Sequence, residues 1–245
     1  MIPKVIHYCW FGGQPLPPLA IKCIESWKKH APEYEIKEWN ESNFDINIIP
    51  YTAEAYKQKK YAFVSDYARF WIIYNYGGVY FDTDVELIKS IDGIVAKGPF
   101  MGCETKAKEF ILPVSPVNAG LGIGCYANHP LYKEILSKYE NTSFCFSDKS
   151  NQETVVSIVS AILANHGLTF SKDIQSCCNI FIYPEEYFCP LSPLTNKLSI
   201  TENSISIHHY AASWTKKAVL EKIWKKFHLP DTAIRYQIKK FFKKL

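Results

Sequence analysis

The 245-residue sequence has no long hydrophobic run. A membrane-spanning helix needs roughly 18 consecutive apolar residues, and no stretch approaches that length. The start of the chain, MIPKVIHYCWFGG, also lacks the small-residue cleavage site of a secretory signal peptide. We therefore expect a cytoplasmic protein, and we leave open a peripheral association with the inner face of the membrane.

Metal-binding or disulfide patterns of cysteine are missing as well. The 8 cysteines form no CxxC unit and no zinc-like spacing. Without an export signal, they are most simply interpreted as buried thiols. The remaining composition, 47% hydrophobic, 21% charged and 15% aromatic, is typical of a globular domain with a large core or with flat ligands.

The net charge is small, but positive charge is concentrated at one end of the chain. The net charge is +4, yet residues 211–245 contain ten basic and two acidic residues, so the rest of the chain is mildly acidic. The stretch AIRYQIKKFFKKL predicts a basic amphipathic helix, which suits either an anionic membrane surface or docking on the domain. An acidic body without a recognised binding module argues against nucleic acid as a partner. We expect residues 216–245 to form a separate helical tail.

Strand-like and helix-like segments alternate through the first half of the chain. The expected strands are KVIHYCW, YEIKEWN and GVYF, and the expected helices cover residues 19–30, 52–60 and 62–76, the last ending at Gly77. Further on, GLGIGCY and NSISIHHY are expected strands and QETVVSIVSAILANHG an expected helix. The alternation predicts an α/β fold with a mostly parallel central sheet over residues 1–215. Ligands of such sheets bind beyond the carboxyl ends of the strands.

An acidic motif, Asp82-Thr83-Asp84, follows directly after the predicted strand GVYF. On a strand, residues 82 and 84 would point to the same side, so their carboxylates would converge. Hard oxygen ligands in that arrangement suit Mg²⁺ or Mn²⁺. A solvated acidic loop is the simpler alternative for an isolated D-x-D, but the double glycine and the apolar lead-in favour a metal site.

Two other classes of protein use a similar acidic motif. A calcium EF-hand loop beginning at Asp82 needs Gly at its sixth position and Glu at its twelfth, where this chain has Leu87 and Gly93. That interpretation fails. Phosphatases similar to haloacid dehalogenases also place D-x-D after a strand, but Val85 and Glu86 depart from their pattern. A phosphatase therefore remains a weak alternative.

The helix predicted before the motif contains two charged residues in apolar surroundings. Asp66 and Arg69 are three positions apart in FVSDYARFWIIYNY, so they share one face. Buried charges are costly unless paired. Either the two form an ion pair within the core, or both point towards the strand ends, where Asp66 would accept hydroxyl hydrogens and Arg69 would bind phosphate or sugar oxygens.

Three segments together resemble glycosyltransferase family 32, which includes bacterial capsular and lipooligosaccharide sugar transferases and fungal initiating mannosyltransferases. They are IPKVIHYCWFGG, KKYAFVSDYARFWIIYNYGGVYFDTDVE and SISIHHYAASW, and they span residues 2–214. The D-x-x-R helix followed by G-G-x-Y-x-D-x-D is also similar to the catalytic core of glucosylating bacterial toxins. The resemblance implies a GT-A fold, which is a Rossmann-like nucleotide-binding sandwich. It further implies retaining transfer of a hexose from a UDP- or GDP-sugar to a glycan or lipid-linked acceptor, with Mn²⁺ or Mg²⁺ as cofactor.

The resemblance also assigns site residues. Trp10 would stack on the donor base, Asp82 would contact the ribose and the metal, and Asp84 would bind the metal directly. Asp66 and Arg69 would hold the donor sugar. The other expected donor-binding residues are Ala62, Ser65, Gly78, Tyr80, Ser213 and Trp214, the last two as a C-terminal lid over the diphosphate.

A further metal ligand is expected from the late strand. His208 and His209 would lie on opposite faces, so only one can reach the metal. We favour His209, because a histidine followed by an aromatic residue and a short turn resembles the metal-binding histidine of related GT-A enzymes. Asn118 and Glu153 are candidates for the acceptor side. The metal and Arg69 would stabilise the departing diphosphate. Because no carboxylate stands out as a nucleophile, front-face attack is the expected route to retention of the anomeric configuration.

A different class of function is a further alternative: the protein would be a non-catalytic module that binds sugar or membrane.

Overall fold

A computed structural model of the protein describes residues 1–105, 111–144, 153–193 and 195–211. Its described residues up to Tyr210 form one compact unit. The predicted lid residues Ser213 and Trp214 and the predicted tail 216–245 lie outside the described residues. These expectations, and the domain boundary at residue 215, therefore stay predictions.

Nine strands and seven helices are found in the described part of the chain. The strands are β1 (Val5–Cys9), β2 (Glu35–Trp39), β3 (Gly78–Tyr80), β4 (Val85–Leu87), β5 (Phe100–Gly102), β6 (Ile123–Cys125), β7 (Gln175–Cys177), β8 (Ile180–Tyr183) and β9 (Ser206–His208). The helices are α1 (Pro18–His30), α2 (Pro50–Lys57), α3 (Tyr61–Tyr76), α4 (Asp92–Val95), α5 (Pro130–Glu140), α6 (Val155–Asn165) and α7 (Glu185–Phe188). None of these helices combines the length and apolar character that crossing a membrane requires.

Seven strands form the central sheet, in the order β2-β1-β3-β6-β5-β8-β7. Five of them run in the same direction, and β6 and β7 run against the others. The parallel strands β1, β2 and β3 are joined through helices, as parallel neighbours require. The predicted α/β class with a mostly parallel sheet is confirmed.

Alternate residues of the strands enter hydrophobic clusters on opposite faces of this sheet. In β3, Tyr80 belongs to the cluster that contains residues of α3, α5 and α6, whereas Val79 belongs to the cluster that contains residues of α1. This alternation is the period-two pattern of a strand that is covered on both sides. It explains why the sequence around β3 is apolar at every position.

The acidic motif lies in a turn, and this corrects the expectation that it continues a strand. The β3 strand ends at Tyr80, and the turn is closed where the Val85 amide donates to the Asp82 carbonyl oxygen at 3.0 Å. Strand β4 then pairs with β9 in a separate two-stranded sheet. The turn is therefore held between two different sheets.

Helix α1 fixes the far end of this turn. The Trp27 indole donates to the Val85 carbonyl oxygen at 2.7 Å, and the Ser26 hydroxyl accepts from the Leu87 amide at 2.9 Å. Because both partners belong to β4, the strand is anchored to α1. The loop between β3 and β4 consequently has fixed ends on both sides.

Candidate functional site

The path of the chain into β3 is set by a buried histidine. Gly77 and Gly78 have φ of 65° and 104°, values that favour glycine, and a Cβ on Gly78 would lie 2.8 Å from His7 Nε2. The Trp39 indole donates to His7 Nδ1 at 3.1 Å, so His7 Nε2 carries the proton and donates to the Gly77 carbonyl oxygen at 3.0 Å. Burial lowers the pKa of His7 to about 4. His7 is thus a neutral structural residue.

Three side chains converge where β3 ends. One ligand atom each from Asp82, Asp84 and His208 lies within 4.8 Å of the other two. His208 reaches this point because β4 pairs antiparallel with β9, which puts His208 opposite Val85, next to Asp84 in the chain. The His208 Nε2 atom is 3.2 Å from Asp84 Oδ1.

These residues fit a divalent cation. Two carboxylates and an imidazole are a suitable donor set for Mn²⁺, and the nitrogen ligand makes the site less typical of Mg²⁺. His208 Nδ1 is buried and has no hydrogen-bond partner among the described residues, so the protein alone leaves the hydrogen bonding of this ring incomplete. Burial acts to lower the pKa of His208, but the Asp84 carboxylate raises it overall. The cluster therefore favours a positive charge at this position.

Arg69 lies beside the cluster and contacts two aspartates, Asp66 on its own helix and Asp82 in the cluster. The Nη2 atom is 2.9 Å from Asp66 Oδ1 and 3.2 Å from Asp82 Oδ1, and Nε donates to the Ser65 carbonyl oxygen at 3.1 Å. The guanidinium also lies over the Tyr80 ring, 5.1 Å from its centroid. Only 4% of the Arg69 side chain is exposed. The fork expected to bind donor oxygens is therefore largely engaged by groups of the protein itself.

The ion pair between Asp66 and Arg69, one of the two alternatives that the sequence left open, is present, but the pKa of Asp66 still departs from its ordinary value. Burial raises the pKa of Asp66 to about 6; the Arg69 charge opposes this shift, and the Asp82 charge adds to it. One arginine thus serves two carboxylates. Asp66 is the more deeply buried of the two, with 13% of its side chain exposed against 30% for Asp82.

The Asp82 carboxylate is held from several directions. The Tyr80 hydroxyl donates to Asp82 Oδ1 at 2.9 Å, and the Asp82 amide donates to the Gly120 carbonyl oxygen at 3.0 Å. Gly120 packs so closely that a Cβ there would lie 2.0 Å from Asp82 Oδ2. Asp82 is therefore oriented by Arg69 and Tyr80 on one side and by the Gly120 backbone on the other.

The remaining residues expected to bind the donor do not all lie at the acidic cluster. Trp10 follows β1 directly and is half-buried, with its indole donating to the Gln14 carbonyl oxygen at 2.5 Å. Ala62 and Ser65 are half-buried on α3, on which Asp66 also lies. Gly78 does not join the acidic cluster, because it packs against His7 at the opposite end of β3.

One expectation is corrected by the geometry. His209 does not face the carboxylates of the motif: its Nε2 is 2.7 Å from Glu86 Oε2, which also accepts from Lys22. His208 takes the place that we assigned to His209, because the β4–β9 register sends alternate side chains to opposite faces. Glu153 is exposed and forms an ion pair with Lys138 at 2.9 Å, and its expected place on the acceptor side stays a prediction.

Asn118, in contrast, lies close to the motif and leads to a residue that the sequence patterns did not indicate. Its side-chain oxygen accepts from the Gly120 amide at 2.8 Å, and its side-chain nitrogen donates to Glu104 Oε2 at 2.7 Å. Glu104 follows β5 in a sequence with no recognisable motif. Only the adjacency of β5 and β6 in the sheet brings it here.

Comparison with known proteins gives the following similarities. Residues 17–101 match a family described as glycosyltransferase sugar-binding region containing DXD motif. An uncharacterised glycosyltransferase of Acanthamoeba polyphaga mimivirus is 29% identical over 157 residues, which are 62% of this chain and 59% of that protein. Inositol phosphoceramide mannosyltransferase 3 of Schizosaccharomyces pombe is 29% identical over 98 residues, which are 38% of this chain and 27% of that protein.

Among solved structures, the PaToxG glycosyltransferase is similar with a TM-score of 0.48 and 19% identity, over 67% of this chain and 69% of that one. In the two sequence comparisons, the matched part of this chain spans less than two thirds of each relative's length. The matched family region contains Asp66, Arg69, Asp82 and Asp84, four of the residues chosen from the sequence. Residues 17–101 are therefore similar to glycosyltransferase sugar-binding regions that contain the DXD motif.

Proposed function

We propose that the protein is a metal-dependent glycosyltransferase that moves a hexose from a UDP- or GDP-sugar to a glycan or lipid-linked acceptor. The main support is the convergence of Asp82, Asp84 and His208 at the end of β3. Ligands of α/β sheets bind at the strand ends, so a cation held there would meet the pyrophosphate of a nucleotide sugar. The proposed pathway is the assembly of a surface polysaccharide such as a capsule or lipooligosaccharide.

Asp84 and His208 would hold the metal, and Asp82 would complete the ligand set or act through water. Mn²⁺ is the proposed ion because the two carboxylates suit it and because it accepts a nitrogen ligand more readily than Mg²⁺ does. Such an ion supplies positive charge where the nucleoside diphosphate departs, which lowers the barrier to breaking the bond between sugar and phosphate. The protein's contribution is to fix the carboxylates before the donor arrives.

Arg69 acts in this proposal mainly on the protein's own carboxylates. By bridging Asp66 and Asp82, it fixes the direction of the Asp82 side chain and offsets part of the repulsion within the acidic cluster. Asp66, on the helix face beside it, is the proposed acceptor for hydroxyl hydrogens of the donor sugar. Its pKa of about 6 means that it accepts hydrogen bonds well only above that pH.

The proposed stereochemical course is retention by front-face attack. The departing diphosphate would take the proton of the acceptor hydroxyl as the new bond forms. Trp10, half-buried at the end of β1, is the proposed partner of the donor base, and Ser213 and Trp214 are the proposed lid residues. A bound membrane surface at the basic tail remains part of the proposal for the lipid-linked acceptor.

The test is release of nucleoside diphosphate from a panel of nucleotide sugars with and without Mn²⁺. The panel begins with GDP-mannose, because a relative is named a mannosyltransferase, and continues with other GDP- and UDP-hexoses. Asp84→Asn should lose at least about tenfold in turnover, equivalent to about 1.4 kcal/mol. Asp173→Asn, at an exposed aspartate before β7, is the matched control and should keep full activity.

Other results would point to the alternatives. A phosphatase would release inorganic phosphate from a simple phosphomonoester and leave the nucleotide sugars intact. A non-catalytic module would bind a nucleotide sugar, seen as a shift in unfolding temperature, without any turnover. Turnover of Asp84→Asn within a few-fold of the unmodified protein would contradict the assigned role of Asp84.

A further inference from the structure

We propose that Glu104 is a positioning residue that acts through Asn118 and Gly120 on the Asp82 carboxylate. This inference rests on the proposed metal-dependent function, because Asp82 belongs to the proposed metal cluster. It adds to the site a residue that follows a distant strand, and it gives Asn118 a role other than acceptor binding.

The first step of the connection is the amide of Asn118, which is engaged at both ends. Its nitrogen donates to Glu104 Oε2 at 2.7 Å, and its oxygen accepts from the Gly120 amide at 2.8 Å. A hydrogen bond to a carboxylate is shorter and stronger than one between neutral groups. The carboxylate of Glu104 therefore fixes which way the Asn118 amide faces, and hence which atom is presented to Gly120.

The second step joins Gly120 to the motif. The Gly120 carbonyl oxygen accepts from the Asp82 amide at 3.0 Å, and the Gly120 Cα lies directly against the Asp82 carboxylate. The turn that contains Gly120 is closed by the Leu121 amide, which donates to the Asn118 carbonyl oxygen at 3.2 Å. A shift of the Asn118 side chain would move Gly120, and Asp82 would have to follow.

The surroundings of Glu104 argue that its role is placement rather than stability. Burial raises the pKa of Glu104, against the opposing effects of the Asn118 hydrogen bond and the His208 charge, and within the described residues no Lys, Arg or His nitrogen lies within 4.0 Å of its carboxylate. A half-buried carboxylate whose direct partner is an amide costs the fold free energy, because a neutral donor offsets its lost hydration only in part. Proteins tolerate such local costs mainly at functional sites.

The experiment reverses the direction of the hydrogen bond. Asn118→Asp sets two carboxylates against each other. The double variant E104Q/N118D restores the contact, with the new amide at position 104 as donor and the new carboxylate at position 118 as acceptor. The readout is the dissociation constant for Mn²⁺, followed by the paramagnetic resonance signal of free Mn²⁺ at mildly alkaline pH. Unfolding temperature without metal is measured in parallel, to show that each variant is folded.

We expect Asn118→Asp to weaken Mn²⁺ binding by about tenfold or more, as loss of a group that orients a ligand commonly does. The double variant should recover most of that loss. Glu104→Gln, which keeps an acceptor oxygen for Asn118, should bind Mn²⁺ nearly as the unmodified protein does, and Glu104→Ala should not. Glu134→Gln, at an exposed carboxylate on α5 that is hydrogen-bonded to His166, is the control and should change nothing.

Two patterns would overturn the inference while the proposed function stands. One is equal loss of Mn²⁺ binding in Asn118→Asp and in the double variant. The other is unchanged Mn²⁺ binding in Glu104→Ala. If the unmodified protein takes up no Mn²⁺ at all, the proposed metal site fails, and the role of Glu104 fails with it.

Discussion

The close approach of Gly120 to Asp82 allows the site to be perturbed by a single added methyl group. In Gly120→Ala, the new Cβ would lie 2.0 Å from Asp82 Oδ2, whereas an ordinary contact begins near 3.4 Å. The carboxylate must therefore retreat by about 1.4 Å, if the backbone stays in place. Gly120 is not among the glycines with positive φ, so the substitution adds no backbone strain of that kind.

A retreat of that size is large on the scale of metal coordination. Ligand distances vary by only about 0.2 Å around their ideal values, and a misplacement of about 1 Å in a catalytic group costs roughly 100-fold. Asp82 Oδ1 cannot easily follow, because it is held by the Tyr80 hydroxyl and by Arg69. We expect Gly120→Ala to lose about 100-fold in Mn²⁺-dependent turnover, equivalent to about 2.7 kcal/mol. Overpacking should cost the fold about 1–3 kcal/mol.

The measurement is Mn²⁺ binding and diphosphate release, each compared with Gly93→Ala. Gly93 lies in α4 with nothing within 4 Å of the position that a methyl group would take, and its φ is not positive. Its substitution should therefore leave both quantities unchanged. A folded Gly120→Ala protein that binds Mn²⁺ and turns over donor within a few-fold of the unmodified protein would refute the reasoning. It would mean that Asp82 is not needed where the structure places it.

Three further outcomes follow from the buried charges. His7→Asn should reduce the dependence of the unfolding free energy on pH. Because the pKa of His7 falls from 6.5 to about 4 on folding, the unmodified protein loses about 1.4 kcal/mol of unfolding free energy per pH unit as the pH falls through that interval. Urea unfolding should show a smaller loss in the variant. Asp66→Asn should lose turnover without losing stability at neutral pH. Because the pKa of Asp66 is raised to about 6, ionising this carboxyl costs the fold about 3 kcal/mol at neutral pH. A marked fall in the unfolding temperature of the variant would contradict this prediction. Arg69→Lys should lower turnover by about tenfold or more, because an ammonium cannot reproduce the planar bridge between Asp66 and Asp82, and full activity would show that charge alone suffices.

Local sequence patterns were sufficient to predict helix α3 and the acidic motif that follows it. The three-residue spacing of Asp66 and Arg69 put both on one helical face, and Gly77 marked the end of α3 because its φ of 65° is unfavourable for other residues. The strand between Gly78 and the acids was recognisable from its apolar run. These features depend on neighbours within a few residues, so the sequence expresses them directly.

Local sequence patterns did not predict the course of the chain after Tyr80. The expectation that residues 82 and 84 share one side of a strand was wrong, because the chain turns at Asp82 and enters a different sheet. The two carboxylates still converge, but through a turn whose far end is anchored by α1. Periodicity alone cannot reveal a turn that is fixed by a distant helix.

The sequence by itself determined the α/β class and the acidic motif, and it placed Asp66 and Arg69 together on the helix that precedes the motif. Only the tertiary structure decided between His208 and His209, since that choice depends on the register between β4 and β9, which are more than a hundred residues apart in the chain. It also joined Glu104 to Asp82 through Asn118 and Gly120, because neighbouring strands of a sheet meet wherever the topology puts them, and a single sequence contains no local signal for that meeting.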